Sequence, residues 1–97
     1  MINYIIYVSF TDAKPDSIER LSIELSKYNI AAGIKADDGR AYFLPPGTFT
    51  YNGQETINEV RDAIYRLAET IQPGAMVLAT EATTISWTGL KEVQNPV

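Results

Sequence analysis

Apolar residues occupy both phases of a two-residue alternation across residues 2–10. Tyr4, Ile6, Val8 and Phe10 fill one phase, while Ile5 and Tyr7 share the other with Asn3 and Ser9. Such a segment is expected to be a central strand, one face buried under helices and the other only partly wet. Thr11-Asp12-Ala13-Lys14-Pro15 breaks it, and Pro15 with Asp16 and Glu19 suits the opening of a helix. Ile18, Leu21, Leu25 and Tyr28 then recur at three- and four-residue steps, which predicts an amphipathic helix ending near Asn29.

Residues 30–36 read as a second strand, closed by Asp37-Asp38-Gly39, where glycine supplies the positive φ of a tight turn. Extended structure resumes at Ala41-Tyr42-Phe43-Leu44, stops at Pro45-Pro46-Gly47 and resumes over Thr48-Phe49-Thr50-Tyr51. The pattern fits either one irregular hairpin or a three-strand meander. A second helix is predicted over about 55–71, with Ile57, Val60, Ile64, Leu67 and Ile71 as its stripe, ended by Gln72-Pro73-Gly74. Residues 75–80 form a short apolar strand. Ile85-Ser86-Trp87 offers an additional C-terminal one, and a flexible tail is expected from about residue 90.

Two helices, each with one apolar stripe, need one sheet face to cover. The expected fold is therefore α+β: a single ferredoxin-like βαββαβ domain over residues 1–97, its antiparallel sheet carrying both helices on one face. Ninety-seven residues with 45% hydrophobic and 21% charged side chains agree with one globular core.

Composition narrows the chemistry. Cysteine and histidine are both absent, which removes disulfides, thiolate metal sites, a cysteine nucleophile and a histidine general base. Twelve acidic against eight basic residues give a net charge of −4, so strong duplex DNA binding is not expected. Neither a long apolar run nor a leader-like start is visible, so no membrane association is expected and the cytoplasm is the expected location. Phosphate-loop glycine patterns do not occur.

The remaining candidates are few. Asp12 stands at the mouth of the first strand, either as a turn residue or as a carboxylate able to hold Mg²⁺. No other cofactor is suggested. Asp37 and Asp38 read first as turn residues. Arg20, Arg40, Arg61 and Arg66 are the candidate phosphate or partner contacts, with Glu24 placed to pair with Arg20. There are six tyrosines. Tyr7 and Tyr42, with Ile5 and Arg40 beside them, would form a binding surface if they share the open sheet face. That surface could stack RNA bases or serve as a dimer interface.

The string Tyr7-Val8-Ser9-Phe10 followed by Asp12, the stretch from Asn29 to Ala36-Asp37-Asp38-Gly39, and Phe49 before a helix resemble the GhoS antitoxin family. That family is similar in fold to the CRISPR adaptation nucleases. The Pro45-Pro46-Gly47 insert and the Ile85-to-Val97 tail stand outside the likeness. The resemblance implies a small cytosolic antitoxin that binds or cleaves RNA, with Asp12 and Arg20 as the catalytic positions of a metal-assisted endoribonuclease. The residues alone support a rival reading: a non-enzymatic protein-binding module, such as a phage- or plasmid-encoded inhibitor of a host factor. A homodimer, joined through the open sheet face or the C-terminal strand, is expected under either.

Overall fold

The computed structural model describes residues 2–94; Met1 and the last residues of the C-terminal tail lie outside the described residues. The chain runs β1 (Ile2–Phe10), α1 (Ser17–Ser26), β2 (Gly33–Lys35), β3 (Ala41–Phe43), β4 (Thr48–Gly53), α2 (Ile57–Ile71) and β5 (Ala75–Glu81). It is a small α+β fold whose element order fits a ferredoxin-like plan with an added strand. The main sheet has the order β4-β1-β5, antiparallel throughout, and β2 and β3 form a separate two-stranded sheet. Thus β1 is central, as its two apolar phases require.

The two phases of β1 have separate fates. Tyr4, Ile6, Val8 and Phe10 are buried, and they form one core with Leu21 and Leu25 of α1, Val60, Ile64 and Ala68 of α2, and Phe49 of β4. Burying an isoleucine or leucine completely contributes roughly 1.5–3 kcal/mol. The other phase faces away from the helices.

α1 is shorter than its stripe suggested. It ends at Ser26, after which Asn29 adopts φ 62 and the Ile30 N–H returns to the Leu25 carbonyl at 3.2 Å. Asparagine tolerates this left-handed conformation, which terminates the helix and turns the chain. Tyr28 therefore falls in the turn and is exposed rather than in the core. Glu24 pairs with Lys27 at 2.9 Å and not with Arg20. An acidic residue preceding the basic one along a helix is the favoured orientation, and Arg20 lies on the wrong side. α2 begins with a reciprocal cap: the Glu59 N–H donates to Thr56 Oγ1 at 3.2 Å, and the Thr56 N–H donates to Glu59 Oε1 at 2.8 Å.

Between β2 and β4 the structure chooses a hairpin followed by a return to the main sheet. Gly39 takes φ 91 in the Asp37-Asp38-Gly39 turn, and the Arg40 N–H is held by Asp38 Oδ1 at 2.9 Å. At Pro45-Pro46-Gly47 the Thr48 N–H donates to the Pro45 carbonyl at 3.0 Å, with Gly47 at φ 88. Proline followed by a positive-φ glycine is the chemistry of a type II turn. The strand expected over residues 30–36 joins the main sheet only at Ala31, which bridges Thr50, before peeling off into β2.

No strand forms over residues 85–87. Instead the chain after β5 leaves through Ala82, whose N–H donates to the Asn3 carbonyl at 2.8 Å, and runs to the outer side of β3. There the Phe43 N–H donates to the Lys91 carbonyl at 2.9 Å and the Val93 N–H to the Ala41 carbonyl at 2.8 Å. Among the described residues, no helix is long and apolar enough to cross a membrane.

Candidate functional site

Asp12 sits in the exposed loop leaving β1. Its backbone carbonyl is held by the end of α2, while among the described residues its side chain makes no hydrogen bond or ion pair. Gln72, almost fully buried at the end of α2, donates from Nε2 to the Asp12 carbonyl. Its Oε1 accepts from the hydroxyl of buried Ser17 at 2.5 Å. Ser17 Oγ in turn accepts the Lys14 N–H at 3.1 Å, and the Thr11 N–H donates to the Gly74 carbonyl at 2.9 Å. These buried polar groups satisfy one another, as burial demands. They fasten the loop that follows β1 to the far end of α2.

Arg20 is exposed on α1. Among the described residues, the Asp12 and Arg20 side chains enter no ion pair or hydrogen bond with one another or with other residues. Nor, among those residues, do three or more carboxylates gather into a group able to hold a metal. Asp12 thus offers one carboxylate. Mg²⁺ is commonly bound by one or two carboxylates plus substrate phosphates, so the residues fit the ion only with help from a phosphate or a second chain.

Of the expected surface, Ile5 and Tyr7 share the open face of β1, whereas Tyr42 and Arg40 lie on the separate hairpin. Tyr7 lies opposite Leu78, and the neighbouring Ser9 lies opposite Met76. Tyr7, Met76 and Leu78 form an exposed apolar strip on the open face, with Leu78 65% exposed. Tyr42 lies on the separate hairpin, where its ring meets Trp87 at 5.7 Å and 57°. Arg40 lies at the hairpin's turn end, 3.6 Å from Asp38 and 3.8 Å from Glu92, all well exposed. Exposed pairs of this kind are weak.

Ile5 belongs to a groove of about 680 Å³. Its floor is the open sheet face: Asn3, Ile5, Thr50 and Asn52, with Asn3 directly opposite Asn52 and Ile5 opposite Thr50. One wall is the β2 side of the hairpin, including Ile34, Lys35 and Asp37, and the other is the strap with Thr83, Thr84, Ile85 and Trp87. The Thr50 hydroxyl donates to the Gly33 carbonyl at 2.7 Å and sets the hairpin against the floor. Among the described residues, the side chains of Asn3, Asn52 and Lys35 make no hydrogen bond or ion pair.

The sequence reading missed Trp87, Asn3 and Asn52 as site residues. Asn3 and Asn52 do share the outward phase of their strands with Ile5 and Thr50. Trp87 had no periodic signal, because the strap holding it is irregular.

A second cavity, of about 460 Å³, lies among Tyr28, Ile30, Tyr51, Val60, Arg66 and Leu67. At its rim the Tyr51 hydroxyl donates to Glu55 Oε2 at 2.7 Å, which lowers the Glu55 carboxyl and raises the Tyr51 phenol. Burial is the first cause raising Tyr4, whose hydroxyl donates to the Glu55 carbonyl.

Compared with protein-family models, curated proteins and solved structures, the chain matches none.

Proposed function

We propose that the chain is a small regulatory protein of the GhoS type that acts on RNA, with Asp12 as the residue on which cleavage depends. The observation that carries this reading is the buried Gln72–Ser17 latch. It fixes the backbone at Asp12 and leaves the carboxylate exposed at the mouth of the central strand. The element order, which fits a ferredoxin-like plan with an added strand, and the tight Asp37-Asp38-Gly39 turn are compatible with this reading. A single carboxylate per chain suits a metal ion shared with an RNA phosphate, or with Asp12 of a second copy in a homodimer. When bound, Mg²⁺ would lower the pKa of its water and offset developing negative charge. Arg20, exposed on α1, is the proposed phosphate contact.

Incubating purified protein with RNA in Mg²⁺, and again in EDTA, tests the catalytic form. Cleavage that needs both the metal and Asp12 supports it. Cleavage that Asp12→Ala leaves intact contradicts it.

A second reading is favoured by the Tyr7–Met76–Leu78 strip, because β5 beside it is an edge strand of the main sheet. An exposed apolar strip on a sheet edge suits a protein partner. In that reading the chain is a non-enzymatic binding module, a phage or plasmid inhibitor of a host factor being one form. Under it, Leu78→Lys abolishes partner capture and dimerisation without altering the fold, as sedimentation and circular dichroism would report.

A further inference from the structure

We propose that the groove between the open sheet face, the β2–β3 hairpin and the strap is the seat of one unpaired nucleotide of single-stranded RNA. The base lies against Trp87, its polar edge toward Asn3 and Asn52, and its phosphate toward Lys35. This rests on the RNA reading above and gives it a recognition site separate from Asp12.

Four observations support this. The groove, at about 680 Å³, falls within the range of small-ligand sites and accommodates a base with its sugar and phosphate. Its aromatic wall is held by a neighbour, since the Trp87 ring packs against Tyr42 at 5.7 Å and 57°, and Trp87, not Tyr42, lines the groove. A planar base stacks on such a ring whatever its sequence. On the floor, two carboxamides stand directly opposite one another in the β1–β4 ladder, each offering a donor and an acceptor that have no partner among the described residues. An asparagine amide matches the donor–acceptor edge of a base. Finally, Lys35 supplies a cation with no partner among the described residues, whereas the Arg40 guanidinium is engaged by Asp38 and Glu92. Asp37 also lines the groove, so the electrostatic part of binding is limited to about one phosphate.

Trp87 is the only tryptophan in the chain, so its emission reports on the groove alone. A short mixed-sequence oligoribonucleotide is titrated into the full chain while Trp87 emission and the anisotropy of a labelled copy are followed together. The expected result is saturable quenching that tracks anisotropy, with a slope of log affinity on log salt near about −0.7, the value for one phosphate contact on a single strand.

Trp87→Ala is expected to weaken binding about tenfold or more, in line with the loss of one stacked base. Because Trp87 braces the strap, the exposed variants Asn52→Asp and Lys35→Ala serve as a second test, and both should weaken binding with an unchanged far-UV spectrum. If RNA binds by anisotropy while Trp87 emission stays constant and these variants bind normally, the groove is not the site, although the RNA reading stands. Absence of any RNA binding overturns both. Quenching by an unstructured peptide but not by RNA overturns the nucleotide assignment in favour of a peptide groove.

Discussion

The hydroxyl of Thr50 on β4 donates to the carbonyl of Gly33 on β2 at 2.7 Å, across a span of the chain that includes the whole β2–β3 hairpin. Together with the Ala31–Thr50 bridge, it holds the hairpin against the main sheet at one end only. Beyond Lys35 the hairpin stands off the main sheet and is hydrogen-bonded to the strap instead, and the groove lies between them. Thr50→Val keeps the β-branched shape and deletes the bond. The expected cost is about 1 kcal/mol, typical of one internal hydrogen bond, and the hairpin should loosen more than the core. Native-state hydrogen exchange checks this: amides of residues 33–43 should exchange faster, while β1 and α2 remain protected.

Two glycines of nearly identical φ should respond differently to a methyl group. Gly39 and Gly47 adopt φ 91 and 88, but a Cβ at Gly39 meets nothing within 4 Å, whereas one at Gly47 would stand 2.6 Å from the Val8 carbonyl oxygen. Gly39→Ala is expected to cost roughly 1–2 kcal/mol from conformation alone. Gly47→Ala must also push β4 away from β1, where the Val8 N–H donates to the Gly47 carbonyl at 2.7 Å. Urea midpoints should therefore fall further for Gly47→Ala, and equal effects would count against the close approach.

Gln72→Leu strips a partner from the buried Ser17 hydroxyl and from the Asp12 carbonyl at once. Leaving buried polar groups unpaired costs roughly 1–3 kcal/mol each. In the double variant Gln72→Leu/Ser17→Ala the orphaned hydroxyl is gone but the Lys14 N–H loses both its acceptors, so the two effects should not add. In a double-mutant cycle the two residues should couple by more than about 0.5 kcal/mol.

Much of this architecture was legible in the residue pattern. The inward phase of β1, both helices and the two glycine turns follow from periodicity and turn chemistry. Less visible was what depends on distant contacts. Tyr28 continued the stripe of α1, yet Asn29 ended the helix by adopting a backbone state that no periodicity encodes. The segment over residues 30–36 looked like one strand, but only Ala31 meets the sheet, because the hairpin's position is fixed by Thr50 and Gly33. Ile5 and Tyr7 do share the open face of β1, whereas Arg40 and Tyr42 lie on the separate hairpin. Trp87 entered the site through a strap whose course is set by hydrogen bonds to β3. The cap formed by Thr56 and Glu59 was readable from its spacing and was overlooked.

Acid should weaken the fold through carboxylates whose partners hold them in the charged form. The Tyr51 hydroxyl lowers Glu55, the Ala75 N–H lowers Glu69, and Arg61 lowers Asp62. A depressed carboxylate stabilises the native state above its unfolded value, and that contribution disappears as pH falls through the folded one. Urea midpoints should stay level near neutrality and decline below about pH 4.5, the ordinary glutamate value. Tyr51→Phe should flatten part of that decline. A mirror effect is expected in alkali, because Tyr4 and Tyr51 are raised above 10.0 and their contribution is lost as pH climbs through those values.

The central claim is that this chain handles RNA. Its most direct test is the anisotropy of a labelled single-stranded RNA titrated with the purified protein at low and at moderate salt. The account predicts saturable binding that weakens as salt rises, since phosphate contacts release counterions. A flat titration at low salt, with protein shown to be folded and in large excess, would contradict it and leave the Tyr7–Met76–Leu78 strip as the functional surface.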